Sequence, residues 1–218
     1  PPSGAIFNHG LEFCGLGARE KVQKVREEMA SAGADQYITA SVEDVAWLFN
    51  IRGSDYPYLP AACAYAAVTC EKAFLFIGQE RVPKTVAESL ARDGVEIRPY
   101  EDVDAFIRGL GKGTATAVDP QAVNLRLYRM ILGRSRAIEL PDIAARLKAV
   151  KNPTEVENLR HTHELDGAAV FRAICAIGES LGQGSATELS VSKAVESERS
   201  LNPLYRGPSF GTIAAYGP

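Results

Sequence analysis

From Ala18 to Ile138 the chain switches repeatedly between apolar residues at three- and four-residue steps and short unbroken apolar or β-branched runs, and few architectures accept that alternation. Ala18 to Ala32 sets Val22, Val25 and Met29 on one face with Glu and Lys opposite, and Gly33 stands where a left-handed residue ends a helix. Gln36-Tyr37-Ile38-Thr39-Ala40 then reads as a strand, and Cys63 to Cys70 with Ala73 to Ile77 read as two antiparallel strands joined through Glu71-Lys72. Helices are predicted at Pro83 to Arg92, Asp102 to Leu110 and Ala122 to Leu132, with strands Val95-Glu96-Ile97, Thr114 to Val118 and Arg136-Ala137-Ile138 between and after them. The expected class is α/β, a mixed sheet flanked by helices over residues 1–146.

Within that domain, Ser41 to Asp55 runs from a short helix into a charged turn and holds the only tryptophan, Trp47. Ser41 and Asp44 have the spacing of a capping pair, and Val45, Leu48 and Phe49 share one face. In Arg52-Gly53-Ser54-Asp55, Gly53 can take φ > 0 while Arg52 and Asp55 project. Two readings stay open: charges on a rigidly anchored loop that meet a ligand, or a pair that closes on itself across a surface turn. The prolines of Tyr56-Pro57-Tyr58-Leu59-Pro60 rule out regular structure there, and its tyrosines suit either a pocket wall or solvent-facing packing.

The pattern changes after a linking helix at Pro141 to Ala149. Asn152-Pro153-Thr154-Glu155 is a helix start, followed to about Ile177 by Val156, Leu159, His163, Val170, Ile174 and Ile177 as an expected buried stripe. Gly182-Gln183-Gly184 breaks the chain, Thr187 caps a helix reaching Arg199, Pro203 to Pro208 is a loop, and Phe210 to Ala215 reads as a strand. Two helices and one strand bury too little to stand alone, so residues 147–218 read as the opening of a larger domain, and Pro1-Pro2-Ser3-Gly4 as a clipped or engineered end.

A net charge of −3 gives no field to gather nucleic acid or anionic membrane, and no apolar run approaches the roughly 20 residues of a bilayer span. Cys14, Cys63, Cys70 and Cys175 form no CxxC pair and are expected as reduced, buried thiols, which suits the cytosol. Lys112-Gly113-Thr114 lacks the rest of a phosphate-binding loop. His161-Thr162-His163-Glu164 suggests a metal, but residues two apart on a helix point roughly 200° from one another, so His161 is expected exposed and His163 in a core or interface. His9 is placed near a mobile end, and neither Ser54 nor Ser209 sits in a nucleophile motif. The residues by themselves lead to a soluble α/β domain and part of a second.

Three stretches add a resemblance. Asp44-Val45-Ala46-Trp47-Leu48-Phe49-Asn50-Ile51-Arg52-Gly53-Ser54-Asp55, Leu147-Lys148-Ala149-Val150-Lys151-Asn152-Pro153-Thr154-Glu155-Val156-Glu157 and Pro208-Ser209-Phe210-Gly211-Thr212-Ile213-Ala214-Ala215-Tyr216-Gly217-Pro218 resemble, in order, the three-domain cytosolic aminopeptidase P (Xaa-Pro aminopeptidase) family. The resemblance implies a creatinase N-terminal-like middle domain at 1–146 and the start of a pita-bread catalytic domain at 147–218. It implies a cytoplasmic hydrolase that removes the first residue of peptides with proline second, through a hydroxide bridging two divalent metals, usually manganese. The family's ligands, two aspartates, a histidine and two glutamates, lie beyond the matched segment, so no catalytic or metal residue, and no activity, is assigned to these 218 residues. Phe210 corresponds to an aromatic wall for the substrate's first side chain, and Arg52 and Asp55 to a turn facing the cleft. Gly211 and Ala214-Ala215 depart from the bulkier or hydroxyl residues expected there. Homodimerisation is implied and nucleic-acid or membrane partners are not; the rival is a non-enzymatic pita-bread scaffold of the histone-chaperone kind.

Overall fold

The computed structural model describes residues 2 and 4–215. Its elements begin with β1 (Phe7–Asn8), α1 (Leu11–Cys14), α2 (Ala18–Ala32), β2 (Gln36–Thr39), α3 (Val42–Leu48) and β3 (Ile51–Arg52). There follow β4 (Tyr65–Thr69), β5 (Ala73–Phe76), α4 (Lys84–Arg92), β6 (Val95–Arg98), α5 (Asp102–Arg108), β7 (Ala115–Val118), α6 (Leu125–Leu132), β8 (Arg136–Glu139) and α7 (Ile143–Ala149). Two further helices, α8 (Pro153–Gly182) and α9 (Glu188–Ser200), come last. Contacts divide the chain into two units: one runs to Tyr56 and resumes over Pro60–Asn152, and the other joins Pro57–Leu59 to the chain from Pro153 onward.

In the first unit six strands form one mixed sheet in the order β6-β5-β4-β2-β7-β8. β4 runs antiparallel to β2 and β5, while β5–β6, β2–β7 and β7–β8 are parallel, so Tyr37 lies opposite Val68 on one side and Ala117 on the other. Side chains alternate across the sheet, and a core forms on each face. Tyr37, Ala66, Val68, Leu75 and Ala117 meet Val22, Val25 and Met29 of α2, Val45 and Leu48 of α3 and Ile143 of α7. Ile38, Ala67, Phe74, Phe76 and Val118 meet Val103 and Ile107 of α5 and Leu127 and Ile131 of α6. Gly33 takes φ 68 at the end of α2, as its position after the apolar stripe predicts.

The sequence gives no signal for β1, α1 or β3. β1 pairs antiparallel with β3, Phe7 opposite Arg52, and the amide of His9 donates to the Asn50 carbonyl at 2.8 Å. His9, whose ring stacks on Phe13, is therefore held and not at a mobile end. Two-residue strands carry no periodicity to read. Among the described cysteines all four are free thiols, but only Cys14 is buried, and Cys70 and Cys175 are exposed.

In the second unit α8 is one helix of 30 residues against which α9 packs. Arg199 forks onto Asp166 at 2.6 and 3.0 Å and Arg172 reaches Glu198 at 2.7 Å, while Thr187 caps α9 by accepting from the Ser190 amide. The expected buried stripe on α8 is corrected: only Ala169 and Ala173 are buried, Leu159 and Ile174 are exposed, and Val156, Val170 and Ile177 are half-buried. Among the described residues α9 is the main helix packed on α8 and covers one narrow line of it, which small residues fill. His163 is likewise exposed, its Nδ1 lying 2.8 Å from the Leu159 carbonyl, and His161 is exposed as expected. The strand expected at Phe210–Ala215 does not form; these residues are irregular, because a strand needs a ladder partner and the described residues of this unit supply none.

Candidate functional site

The charged turn is built on α3. Ser41 stands at the N-cap without a side-chain bond, and Asp44 forms an ion pair with Lys148 of α7 at 2.6 Å, so the expected capping pair is not made. The full charge of Lys148 attracts the carboxylate more strongly than the neutral backbone amide of Ser41 could. The helix closes at Asn50, which takes φ 52. Gly53 does not have positive φ, correcting that expectation; glycine is required there because a Cβ would stand 2.8 Å from Ala62 Cβ and 3.1 Å from the Ala61 carbonyl. Gly53→Ala should therefore cost about 1–2 kcal/mol in urea unfolding by forcing the facing Ala61–Ala62 segment aside.

Arg52 and Asp55 do not pair with one another. Arg52 Nη1 donates to the carbonyls of Ala46 at 3.2 Å and Ile51 at 2.9 Å. Asp55 turns inward, forms an ion pair with Arg81, and accepts from the Cys63 amide at 2.6 Å through Oδ2. Arg81 Nε in turn donates to the Gly4 carbonyl at 2.9 Å. The carboxylate is thus the centre of a buried clasp and not a projecting group. Arg81 lies in a short 3₁₀ turn, Gln79–Arg81, and no local pattern marks so distant a partner. Phe210 belongs to the second unit, where the residue is 66% exposed; Tyr216, Gly217 and Pro218 of the same matched stretch lie outside the described residues.

The first unit also has a cleft of about 660 Å³, lined by Ala40 and Ser41 after β2, Asp119 and Gln121 to Asn124 after β7, Asp142 after β8, and the rings of Tyr65 and Tyr100. The Ala40 amide donates to the Ala122 carbonyl at 3.1 Å, and Asp119 accepts from the amides of Gln121 at 2.8 Å and Asp142 at 3.0 Å. Asp142 Oδ1 takes the Tyr37 hydroxyl at 2.6 Å and the Ala145 amide at 3.0 Å. Burial and then the Asp142 charge hold the Tyr37 phenol well above its ordinary value. Burial and then the bond to the Tyr65 oxygen at 2.8 Å raise Tyr100. Tyr56 shares a hydrogen bond with the Cys63 sulfur at 3.0 Å, which with burial pushes its phenol up to about 12.

These shifts fix the sign of an alkaline response. Unfolded phenols ionise near 10.0 while folded Tyr56 holds its proton to about 12, so above pH 10 the unfolded chain binds fewer protons and stability falls. The contribution is complete below the unfolded value and is lost as pH rises through the folded one. A urea midpoint that stayed level or rose between roughly pH 10 and 12 would contradict this.

The donor set does not fit a metal centre: among the described residues no three His, Cys, Asp or Glu side chains are grouped so as to hold an ion. His161 and Glu164 approach only to 3.8 Å, as an exposed pair.

The sequence profile of the Creatinase/Prolidase N-terminal domain matches residues 1–155. The chain belongs to the creatinase/prolidase N-terminal domain family. A probable Xaa-Pro aminopeptidase P of Coprinopsis cinerea is 32% identical over 232 residues, which take in 100% of this chain and 37% of that protein. One from Laccaria bicolor is 32% identical over 223 residues, 100% of this chain and 34% of the relative. This creatinase-type chain thus spans 37% and 34% of the lengths of these two curated relatives. Among solved structures, the X-prolyl aminopeptidase of Caenorhabditis elegans, described as a cytosolic enzyme with a di-nuclear active site, superposes with a TM-score of 0.88 at 27% identity. That match covers 99% of this chain and 36% of the worm enzyme. The prolidase of Pyrococcus horikoshii, at 19% identity and a TM-score of 0.55 over 84% of this chain and 49% of its own, shares the fold. Among the described residues no helix is long and apolar enough to cross a membrane.

Proposed function

We propose that this chain is part of a cytoplasmic metallo-aminopeptidase that removes the first residue from peptides with proline second. The observation that carries this is the superposition on the C. elegans X-prolyl aminopeptidase over 99% of the chain, at 0.88 and 27% identity. In this reading residues 1–146 are the middle domain, residues 147–218 open a pita-bread catalytic domain, and the enzyme works as a homodimer. Two divalent ions, manganese in type, are held by residues other than those described. Phe210 supplies an apolar wall for the first side chain of the peptide, a role its exposed ring is free to take. Arg52 stands on a turn that faces the peptide-binding cleft of the extended enzyme, and Asp55 acts from beneath it, fixing the turn through Arg81.

The test compares two polypeptides, each with manganese, on tripeptides with proline second. One is the 218-residue chain; the other is extended to the length of its relatives. The extended protein should release the first residue and the shorter should not. Proline peptides left intact by the metal-loaded extended protein would overturn the activity, and turnover by the shorter chain would overturn the placement of the metals. In the extended enzyme Phe210→Ala should lower kcat/KM for peptides with a large apolar first residue by about tenfold and leave glycine-first peptides nearly unchanged.

A further inference from the structure

β2 and β7 are adjacent and parallel, yet the chain leaves them toward opposite faces: α3 joins the core with α2 and α7, and α6 joins the core with α5. Where two such connections diverge, the carboxyl ends of the strands part and leave a crevice, which is where open α/β sheets take ligands. The cleft described above lies there, and its volume of about 660 Å³ falls within the range of small-molecule sites. Asp142 stands in its wall at 5% exposure, and although Oδ1 is doubly bonded, Oδ2 has no hydrogen-bond partner. A buried carboxylate oxygen without a partner is costly, so its retention beside a cleft points to a donor that comes from outside.

The chemistry of the wall selects among donors. Asp44, Asp119 and Asp142 all line the cleft, and among the described residues no lysine or arginine does. The nearby cations are already engaged, Lys148 with Asp44 and Arg126 with Asp104. An anion would enter against Asp119 and Asp142 with nothing to pair with. For a divalent ion, no three His, Cys, Asp or Glu side chains are grouped among the described residues so as to hold it. An organic cation has what is missing: N–H groups for Asp142, charge for Asp119, and a π-face to rest on, since Tyr65 and Tyr100 form a tilted aromatic pair with centroids 4.7 Å apart. We propose that the switch-point cleft is a binding site for a small organic cation of the guanidinium or alkylammonium type.

Agmatine, which carries both groups and no carboxylate, is the probe, titrated into the 218-residue chain with amide chemical shifts as the readout and ADP as the anionic comparison. Saturable shifts confined to Tyr65, Tyr100 and residues after β2, β7 and β8 are expected. Asp142→Asn keeps both Oδ1 bonds and should weaken agmatine by at least about tenfold, the value of a charge-assisted hydrogen bond. Tyr100→Leu should weaken it several-fold, and Tyr100→Phe, which keeps the ring, should not; this pair reads the site without touching Asp142. Absence of saturation by about 20 mM agmatine, far weaker than a millimolar site, would overturn the proposal. So would unchanged affinity in Asp142→Asn, or ADP binding in place of agmatine.

Discussion

Asp55→Ala should lower the stability of the first unit by about 3–5 kcal/mol, more than any other single change at the charged turn. The side chains of Asp55 and Arg81 are 0% and 3% exposed, so removal of the carboxylate leaves a guanidinium inside the protein with its compensating charge gone. The Cys63 amide loses its acceptor at the same time. Arg81→Met in the Asp55→Ala background should recover a large part of the loss, because replacing both charges removes the desolvation cost as well as the attraction. Trp47, the only tryptophan and 8% exposed, reports unfolding of this unit in urea. A loss under about 1 kcal/mol in Asp55→Ala would mean that the clasp does not form in solution. The same variants decide what the turn does in the extended enzyme. If Asp55 acts only by holding the turn, the double variant regains kcat/KM with stability; a side chain that touches peptide leaves kcat/KM low after stability returns.

What the sequence made legible, and what it did not, follows from the range of the interactions involved. α2, β4, β5, α5, β7 and β8 were readable because hydrophobic period, glycine stops and turns are properties of a few adjacent residues. The alternation of elements was enough to place a mixed sheet with helices on its faces, and the observed order β6-β5-β4-β2-β7-β8 has that form. The α8 stripe failed because period predicts which face is apolar, not whether enough neighbouring chain exists to cover it. Composition allows Gly53 a positive φ, yet Asn50 takes that conformation and Gly53 answers to Ala62, a contact across the chain that spacing cannot show. Asp55 carries the same lesson for the site. A carboxylate next to Gly-Ser looks exposed by composition, yet its partner Arg81 is 26 residues away and brings it inside. The cleft was invisible for the same reason, being formed by residues following three separate strands.

Lys21→Ala should cost about 3 kcal/mol and loosen the turn that carries Arg52. Lys21 sits on the apolar face of α2 at 1% exposure, an expensive place for an ammonium unless the charge is well solvated by the protein. Nζ donates to the Trp47 carbonyl at 2.9 Å and to Asn50 Oδ1 at 2.5 Å, and lies 4.4 Å from the centre of the Trp47 ring. It therefore binds the last turn of α3 and the left-handed residue after it at once. Asn50 completes the link by donating to the Leu16 carbonyl at 2.8 Å. Its own carbonyl accepts the His9 amide, so strain at Asn50 passes directly into the β1–β3 pairing opposite Arg52. Asn50→Gly should tolerate φ 52 but lose the side-chain bonds, whereas Asn50→Val loses them and adds backbone strain of about 1–2 kcal/mol. Amide exchange at His9 is the sensitive readout: it should accelerate in Lys21→Ala and Asn50→Val well beyond the change at β4 and β5, whose ladders do not use this link. Equal acceleration everywhere would mean that Lys21 stabilises the whole core without positioning the turn. Unchanged exchange at His9 would mean that β1 and β3 hold the turn without it.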